Sequence, residues 1–247
     1  MFSTAIQSFI NQHHYPALNI KAVFFDMDGV LFDTMPAHAK AWVIAMNGAG
    51  LHFTEYQGYL NEGRTGASTI DNEFVKVFGR HSTEEEKQHI YKQKSEHFLS
   101  FGESMPIPYT YELTKKIKAE NIDRLVVTGS GEKTLLDRVE QFYPGIFNRQ
   151  RMVTAYDVKH GKPNPEPYLM AMQKANVKPW EAVVIENAPL GVQAGVAAGI
   201  FTIAVNTGIL EDEVLHQAGA NLVFDNMKDL HDHWDKLLNI SSNENKN

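Results

Sequence analysis

Two aspartates, Asp26 and Asp28, stand two positions apart where the apolar run of "AVFFDMDGVLFDT" (residues 22–34) stops. On a continuing strand, side chains at i and i+2 share a face. The pair is compatible with a solvated turn, a metal site, or a nucleophile beside its proton donor. Further on, Val126 and Val127 run into Thr128, Gly129, Ser130 and Gly131, a hydroxyl and small residues ahead of a helix. That setting suits a phosphate or another anion, and equally a plain helix cap. "TGSGEKT" has neither the P-loop spacing nor the third glycine of a dinucleotide fingerprint. In "DVKHGKPNPEPYL" (157–169), Lys162 sits between Gly161 and Pro163, so it is presented from a stiff turn rather than a mobile tether. "AVVIENAPLGVQAGVAAG" closes an apolar strand with Glu186 and Asn187, acid and amide oxygens that read as hard-cation ligands, Mg²⁺ foremost.

These residues need a scaffold, and the chain supplies an alternating one. Apolar runs that read as buried strands fall at Lys21 to Phe25, Arg124 to Val127, Met152 to Val153, Ala182 to Ile185, Phe201 to Val205 and Leu222 to Phe224. Helical periodicity follows at about 110–120, 131–141, 165–175, 189–198, 211–218 and 227–238. Repeated β-α units predict an α/β fold, a Rossmann-like parallel sheet covered on both faces. Ligands then bind beyond the carboxyl ends of the strands, where Asp26 and Asp28 sit at a solvent-facing edge.

One stretch breaks the alternation. Residues 35–101 hold no strand pattern, while Ile70, Phe74, Val77 and Phe78, and then Ile90, His97, Phe98 and Phe101, recur at helical spacing. Ser82 or Thr83 is a helix cap, with Glu85 or Glu86 three residues on. Pro36, Gly102, Pro106 and Pro108 punctuate the exits. The division expected is an α/β core, 1–34 and 102–247, and an inserted all-helical cap, 35–101, free to rock over the first strand. The first twenty residues read as a short helix and linker.

Bulk properties narrow the classes. With 247 residues, 43% hydrophobic and 21% charged, the composition is globular and the chain long enough for a sizeable core. A formal net charge of -7 with scattered Lys and Arg argues against a nucleic-acid partner. The lack of cysteine excludes disulfides and thiol chemistry. No apolar stretch reaches the roughly 20 residues a membrane span needs. A cytoplasmic enzyme is the expectation.

The stations Asp26-Met27-Asp28-Gly29-Val30, Thr128, Lys162 and Glu186-Asn187, with a helical insert after the first, resemble the haloacid dehalogenase superfamily from about residue 20 to 240. "GKPNPEPY" and "ENAPLGVQAGVAAG" are similar to its β-phosphoglucomutase and small-molecule phosphatase subgroup. The resemblance implies Asp26 as nucleophile forming an aspartyl-phosphate, and Asp28 as proton donor and then base, with a pKa raised by its neighbour and by partial burial. It implies Thr128 and nearby amides, those of Gly129 and Ser130, around the phosphoryl oxygens, and Lys162 as a countercharge. Mg²⁺ would be held by Asp26, the Asp28 carbonyl and Asn187, with Glu186 close by.

Two positions depart from the subgroup. Asn187 is more often an aspartate, which removes one formal negative charge. In "LNEGRTGAS", Glu62 stands where mutases place a lysine for a second phosphate, although Arg64 follows and His38 matches a cap-hinge histidine. A phosphohydrolase of a small substrate, inorganic pyrophosphate or a small phosphomonoester, is therefore expected ahead of a β-phosphoglucomutase (an isomerase). A non-catalytic protein on this fold would be expected to lack the nucleophile or the lysine.

Overall fold

The computed structural model describes residues 2–130 and 133–243. Gly131 and the expected helix start at 131 lie at or beyond the edge of the described residues. The chain opens with α1 (Phe2–His13) and β1 (Ala22–Phe25). Four helices follow: α2 (Met35–Gly48), α3 (Glu55–Leu60), α4 (Gly66–Phe78) and α5 (Glu84–Ser100). Then come α6 (Thr110–Ala119), β2 (Asp123–Val126), α7 (Lys133–Phe142), α8 (Glu166–Ala175) and β3 (Ala182–Glu186). The chain continues through α9 (Pro189–Ala197), β4 (Phe201–Val205), α10 (Asp212–Gln217), β5 (Leu222–Phe224) and α11 (Met227–Asn243).

The strands form one parallel sheet in the order β2-β1-β3-β4-β5, which puts β1 beside both β2 and β3. Strand side chains alternate between two apolar layers, as the period-2 pleat requires. Val23 and Phe25 face the layer filled from α1, α6, α7 and α11, while Ala22 and Phe24 face the layer filled by Tyr168, Ala171 and Met172 of α8 and by Ala194 of α9. Both faces are covered, so β1, β3 and β4 are buried along their whole length. This accounts for their unbroken apolar sequences.

The strand expected at Met152–Val153 is reduced to a single bridge between Val127 and Val153. Asp157 stops it: its Oδ2 accepts hydrogen bonds from the backbone N–H (2.9 Å) and hydroxyl (2.8 Å) of Thr154, turning the chain after one pairing.

The insertion from α2 to α5 has an apolar core of its own, with Trp42, Met46 and Phe53 packed against Ile70, Phe74 and Ile90. Each large side chain buried there contributes about 1.5–3 kcal/mol. Thr83 caps α5 in a reciprocal capping box with Glu86, worth about 1 kcal/mol, so the cap is Thr83 rather than Ser82. Three positions of the expected apolar stripes are instead exposed: Val77, Phe78 and Phe101. They lie in the last turn of α4 and just past α5, where packing between the two helices runs out.

Two linkers join the insertion to the sheet and pair with each other. Asp33 donates its N–H to Met105 (2.9 Å) and Ile107 to Leu31 (3.0 Å), with an antiparallel bridge between Phe32 and Pro106.

Candidate active site

β1 runs between buried neighbours and stops at Asp26, whose N–H continues the ladder by donating to Ile185 (3.0 Å). The chain then turns through Met27, whose carbonyl accepts from Leu31 and Phe32. Gly29 is required here twice over. Its φ of +84° lies in the left-handed region, and a Cβ would overlap the Asn187 amide. Asp26 and Asp28 are 5% and 4% exposed, so the expected solvent-facing strand end is corrected: the helical insertion is packed down over it.

Lys162, 3% exposed, reaches into this end from the turn before α8. Its ammonium donates to Asp26 Oδ1 (2.5 Å), to Glu186 Oε1 (2.6 Å) and to the Val127 carbonyl (3.1 Å). Burial alone would lower the Lys162 pKa. The carboxylates of Asp26 and Glu186 outweigh it and hold the ammonium above its ordinary range. Burial also pushes the Asp26 carboxyl up, against the pull of Lys162 and with the charges of Glu186 and Asp28 adding to the rise.

Glu186 is held on every side. Its Oε1 accepts from the Tyr168 hydroxyl (2.8 Å) as well as from Lys162, and its Oε2 accepts from the backbone N–H groups of Asn187 (3.0 Å) and Ala188 (3.4 Å). Gly191 of α9 has no side chain for a reason, since a Cβ there would overlap the Glu186 carboxylate. Thr128 continues past β2, donates its N–H to Val153 (2.9 Å) and accepts at Oγ1 from the Ser130 N–H (3.0 Å). Gly129 lies under the carbonyl of Gly63, which would stand 3.3 Å from a Cβ at position 129.

The insertion and the linker that leads into it supply the other wall. Thr34 donates to Asp28 Oδ1 (2.6 Å), and His38 Nε2 stands 3.4 Å from the same oxygen. Lys94, buried on α5, lies 2.8 Å from His38 Nδ1. An ammonium can only donate, so Nδ1 accepts and Nε2 carries its hydrogen toward Asp28. The imidazole is stacked on Phe98 at 4.1 Å.

This chain of donors reverses the pKa expected for Asp28. Burial would raise it, but the His38 ring, the Thr34 hydroxyl and the charge of Lys94 bring it below its ordinary value. Glu62 lines the same small cavity, about 60 Å³, together with Arg64 and Lys94. Burial pushes the Glu62 carboxyl up, with the charge of Asp28 adding to the rise and that of Lys94 opposing it.

A hard cation fits this end of the sheet. Asn187 Oδ1 is buried and has no hydrogen-bond partner among the described residues, although an amide oxygen out of water costs about 1–3 kcal/mol when unpaired. A buried amide oxygen left open at the end of the sheet that carries Asp26 and Glu186 is what a Mg²⁺ ion would take up. Among the described residues no group of three or more His, Cys, Asp or Glu is arranged to hold a metal, so the donor set has to be mixed.

Sequence reasoning missed four residues. Lys94 follows Ile90 and precedes Phe98 at i+4 steps, and a lysine inside an apolar stripe was the available signal. Thr34 and Tyr168 carried none beyond being a hydroxyl next to a motif. Trp42, which lines the cavity beside Asp28, carried no signal.

The sequence profile of the haloacid dehalogenase-like hydrolases matches residues 20–199. Hexitol phosphatase A of Escherichia coli is 30% identical over 76% of this chain and 84% of its own. A phosphorylated carbohydrates phosphatase of Thermotoga maritima is 29% identical over 81% of this chain and 92% of its own. The solved structure of a Bacteroides vulgatus protein provisionally assigned as a beta-phosphoglucomutase is 52% identical, with a TM-score of 0.94 over 97% of this chain and 98% of that one.

Proposed function

Because the chain belongs to the haloacid dehalogenase-like hydrolases, and within them is phosphatase-like or phosphoglucomutase-like, we propose that it is a Mg²⁺-dependent phosphohydrolase of a small phosphomonoester, acting through an aspartyl-phosphate on Asp26. The observation that carries the reading is Glu62. It lines the same cavity as Asp28, where a mutase needs positive charge for the second phosphate of a sugar bisphosphate. A carboxylate there accepts hydrogen bonds from the hydroxyls of a leaving group and repels a second phosphate. Relatives named as phosphatases of hexitols and phosphorylated carbohydrates favour a hydroxylated carbon carrier over inorganic pyrophosphate.

Residues 35–101 act as a cap on the core formed by 1–34 and 102–247. Gly63 lies against the Lys162 stem, which supports a cap closed over the core. Asp26 attacks phosphorus in line and the ester P–O bond breaks. Lys162 spreads the charge of the phosphoryl oxygens while Glu186 and Tyr168 fix its direction. Thr128 and the N–H groups of Gly129 and Ser130 hold those oxygens. Asp28 protonates the leaving oxygen; an arriving phosphate dianion counteracts the donors that now hold Asp28 as a carboxylate. As a carboxylate again, it takes a proton from the water that attacks the aspartyl-phosphate, freeing phosphate and Asp26. Mg²⁺, held by the Asp26 carboxylate, the Asp28 carbonyl and Asn187 Oδ1, would neutralise charge between nucleophile and phosphate. Glu186 serves Lys162 rather than the metal, because its oxygens are already engaged.

A second reading, β-phosphoglucomutase, rests on Lys94 and Arg64. They bring two cations to the same cavity from other cap positions, and the Bacteroides vulgatus neighbour points the same way. A panel of phosphate esters and pyrophosphate, with phosphate release measured beside isomerisation of β-glucose 1-phosphate, separates the readings. Stoichiometric phosphate release supports hydrolysis; glucose 6-phosphate formed without it supports the mutase. We place the protein in the cytoplasm on its cysteine-free composition. Among the described residues no helix is long and apolar enough to cross a membrane.

A further inference from the structure

We infer that Tyr91 is the partition that limits the length of the leaving group, an assignment that rests on the phosphohydrolase reading and extends it. Two cavities meet at one ring. The inner one holds Asp28, His38, Glu62 and Lys94. The outer one, about 260 Å³, opens further along the same face of α5, toward its N-terminus, and is lined by Ala67, Glu84, Lys87 and Gln88. Gly66 and Tyr91 line both, so Tyr91 and the backbone it rests on form the wall between them.

The ring is held in that position. It lies flat enough against Gly66 that a Cβ there would overlap Cδ2 and Cε2, which explains a glycine in the first turn of α4. Trp42 supports it with ring centroids 6.2 Å apart, and the Lys94 ammonium stands 5.8 Å from its centre. The ring is thus fixed by the same lysine that contacts His38, yet Tyr91 itself is 42% exposed, its outer side facing the second cavity.

A carrier of one sugar or one polyol chain ends at this wall. A carrier with a second sugar ring would have to pass through it. Beyond the wall, Glu84 and Lys87, paired at 2.8 Å, and Gln88 present acceptors and donors that suit hydroxyl groups. Removing the ring joins the two cavities and adds a second subsite for a hydroxylated extension.

The test compares kcat/KM for a monosaccharide phosphate and a disaccharide phosphate in the parent, Tyr91→Ala, Tyr91→Leu and Tyr91→Phe. The disaccharide-to-monosaccharide ratio should rise ~10-fold or more in the Ala and Leu variants, the scale on which apolar pocket walls discriminate, and stay at the parental value in Phe, which keeps the ring. Two aliphatic replacements guard against one failing to fold. The same ratio is read without turnover, as equilibrium binding of both esters to each protein carrying Asp26→Asn. A parental ratio in Ala and Leu, by turnover and by binding alike, overturns the partition. A length preference in binding that Ala and Leu abolish, in a protein that hydrolyses neither ester, keeps the partition and removes the phosphohydrolase reading.

Discussion

Replacing Lys162 with methionine keeps the length of the side chain and removes the ammonium between Asp26 and Glu186. Both carboxylates are at least 95% buried, and each loses a hydrogen bond of 2.5–2.6 Å. Breaking a buried ion pair by deleting one partner costs about 3–5 kcal/mol, because the charge left behind stays out of water. For a chain of this size that is ~6–20 °C in Tm. The cost should depend on pH. Burial already raises the Asp26 pKa, and the variant loses the attraction that opposed the rise. A carboxyl whose folded pKa lies above its unfolded value contributes stability below the unfolded pKa and loses it as pH rises through the folded one. The deficit of Lys162→Met is therefore largest near neutral pH and shrinks as the medium becomes acidic. Urea unfolding with chelator present, at about pH 7 and at about pH 5, measures it. A deficit below ~1 kcal/mol that is the same at both pH values would refute the electrostatic account of the site.

Asp26→Asn should abolish turnover and Asp28→Asn reduce it by at least ~10²-fold, with far-UV circular dichroism unchanged in both. Activity should vanish with chelator, return with Mg²⁺, and be inhibited by Ca²⁺, whose larger and looser coordination misplaces the nucleophile. Asn187→Asp adds the missing carboxylate and should lower the Mg²⁺ concentration for half-maximal activity; an unchanged Mg²⁺ titration removes Asn187 from the ligand set. Glu62→Lys should lower hydrolysis of the small substrate by ~10-fold or more and strengthen binding of sugar bisphosphates, read by steady-state kinetics and calorimetry. An unaltered substrate profile would return the mutase to first place.

The sheet was legible because its strands are buried on both faces and their apolar runs end in small or polar residues. Asp26, Thr128 and Glu186 sit just past or at those ends, and the loop that carries Lys162 brings it between two of them. The cap was legible as helix, and less so as a surface. Apolar periodicity drew Val77 and Phe78 into the core, yet burial depends on which helix lies opposite, and a single strip of sequence does not carry that. Lys94 was hidden for the same reason: its helix, "EEEKQHIYKQKSEHFLS", is rich in charge, and only the closed contact with His38 shows which lysine is buried. The sign of the Asp28 shift also depended on that contact. The groups that set it come from the linker and the cap, 6, 10 and 66 residues further along the chain.

The central claim is that a phosphoryl group leaves the substrate for Asp26 and then goes to water. Acid quenching of a reaction with labelled phosphate ester, within the first turnover, followed by peptide mapping, tests it most directly. The account predicts label on the peptide bearing Asp26, none in Asp26→Asn, and free phosphate appearing as that label decays. Complete hydrolysis with no label on Asp26, or label that passes wholly to a second sugar hydroxyl with no phosphate released, would contradict it.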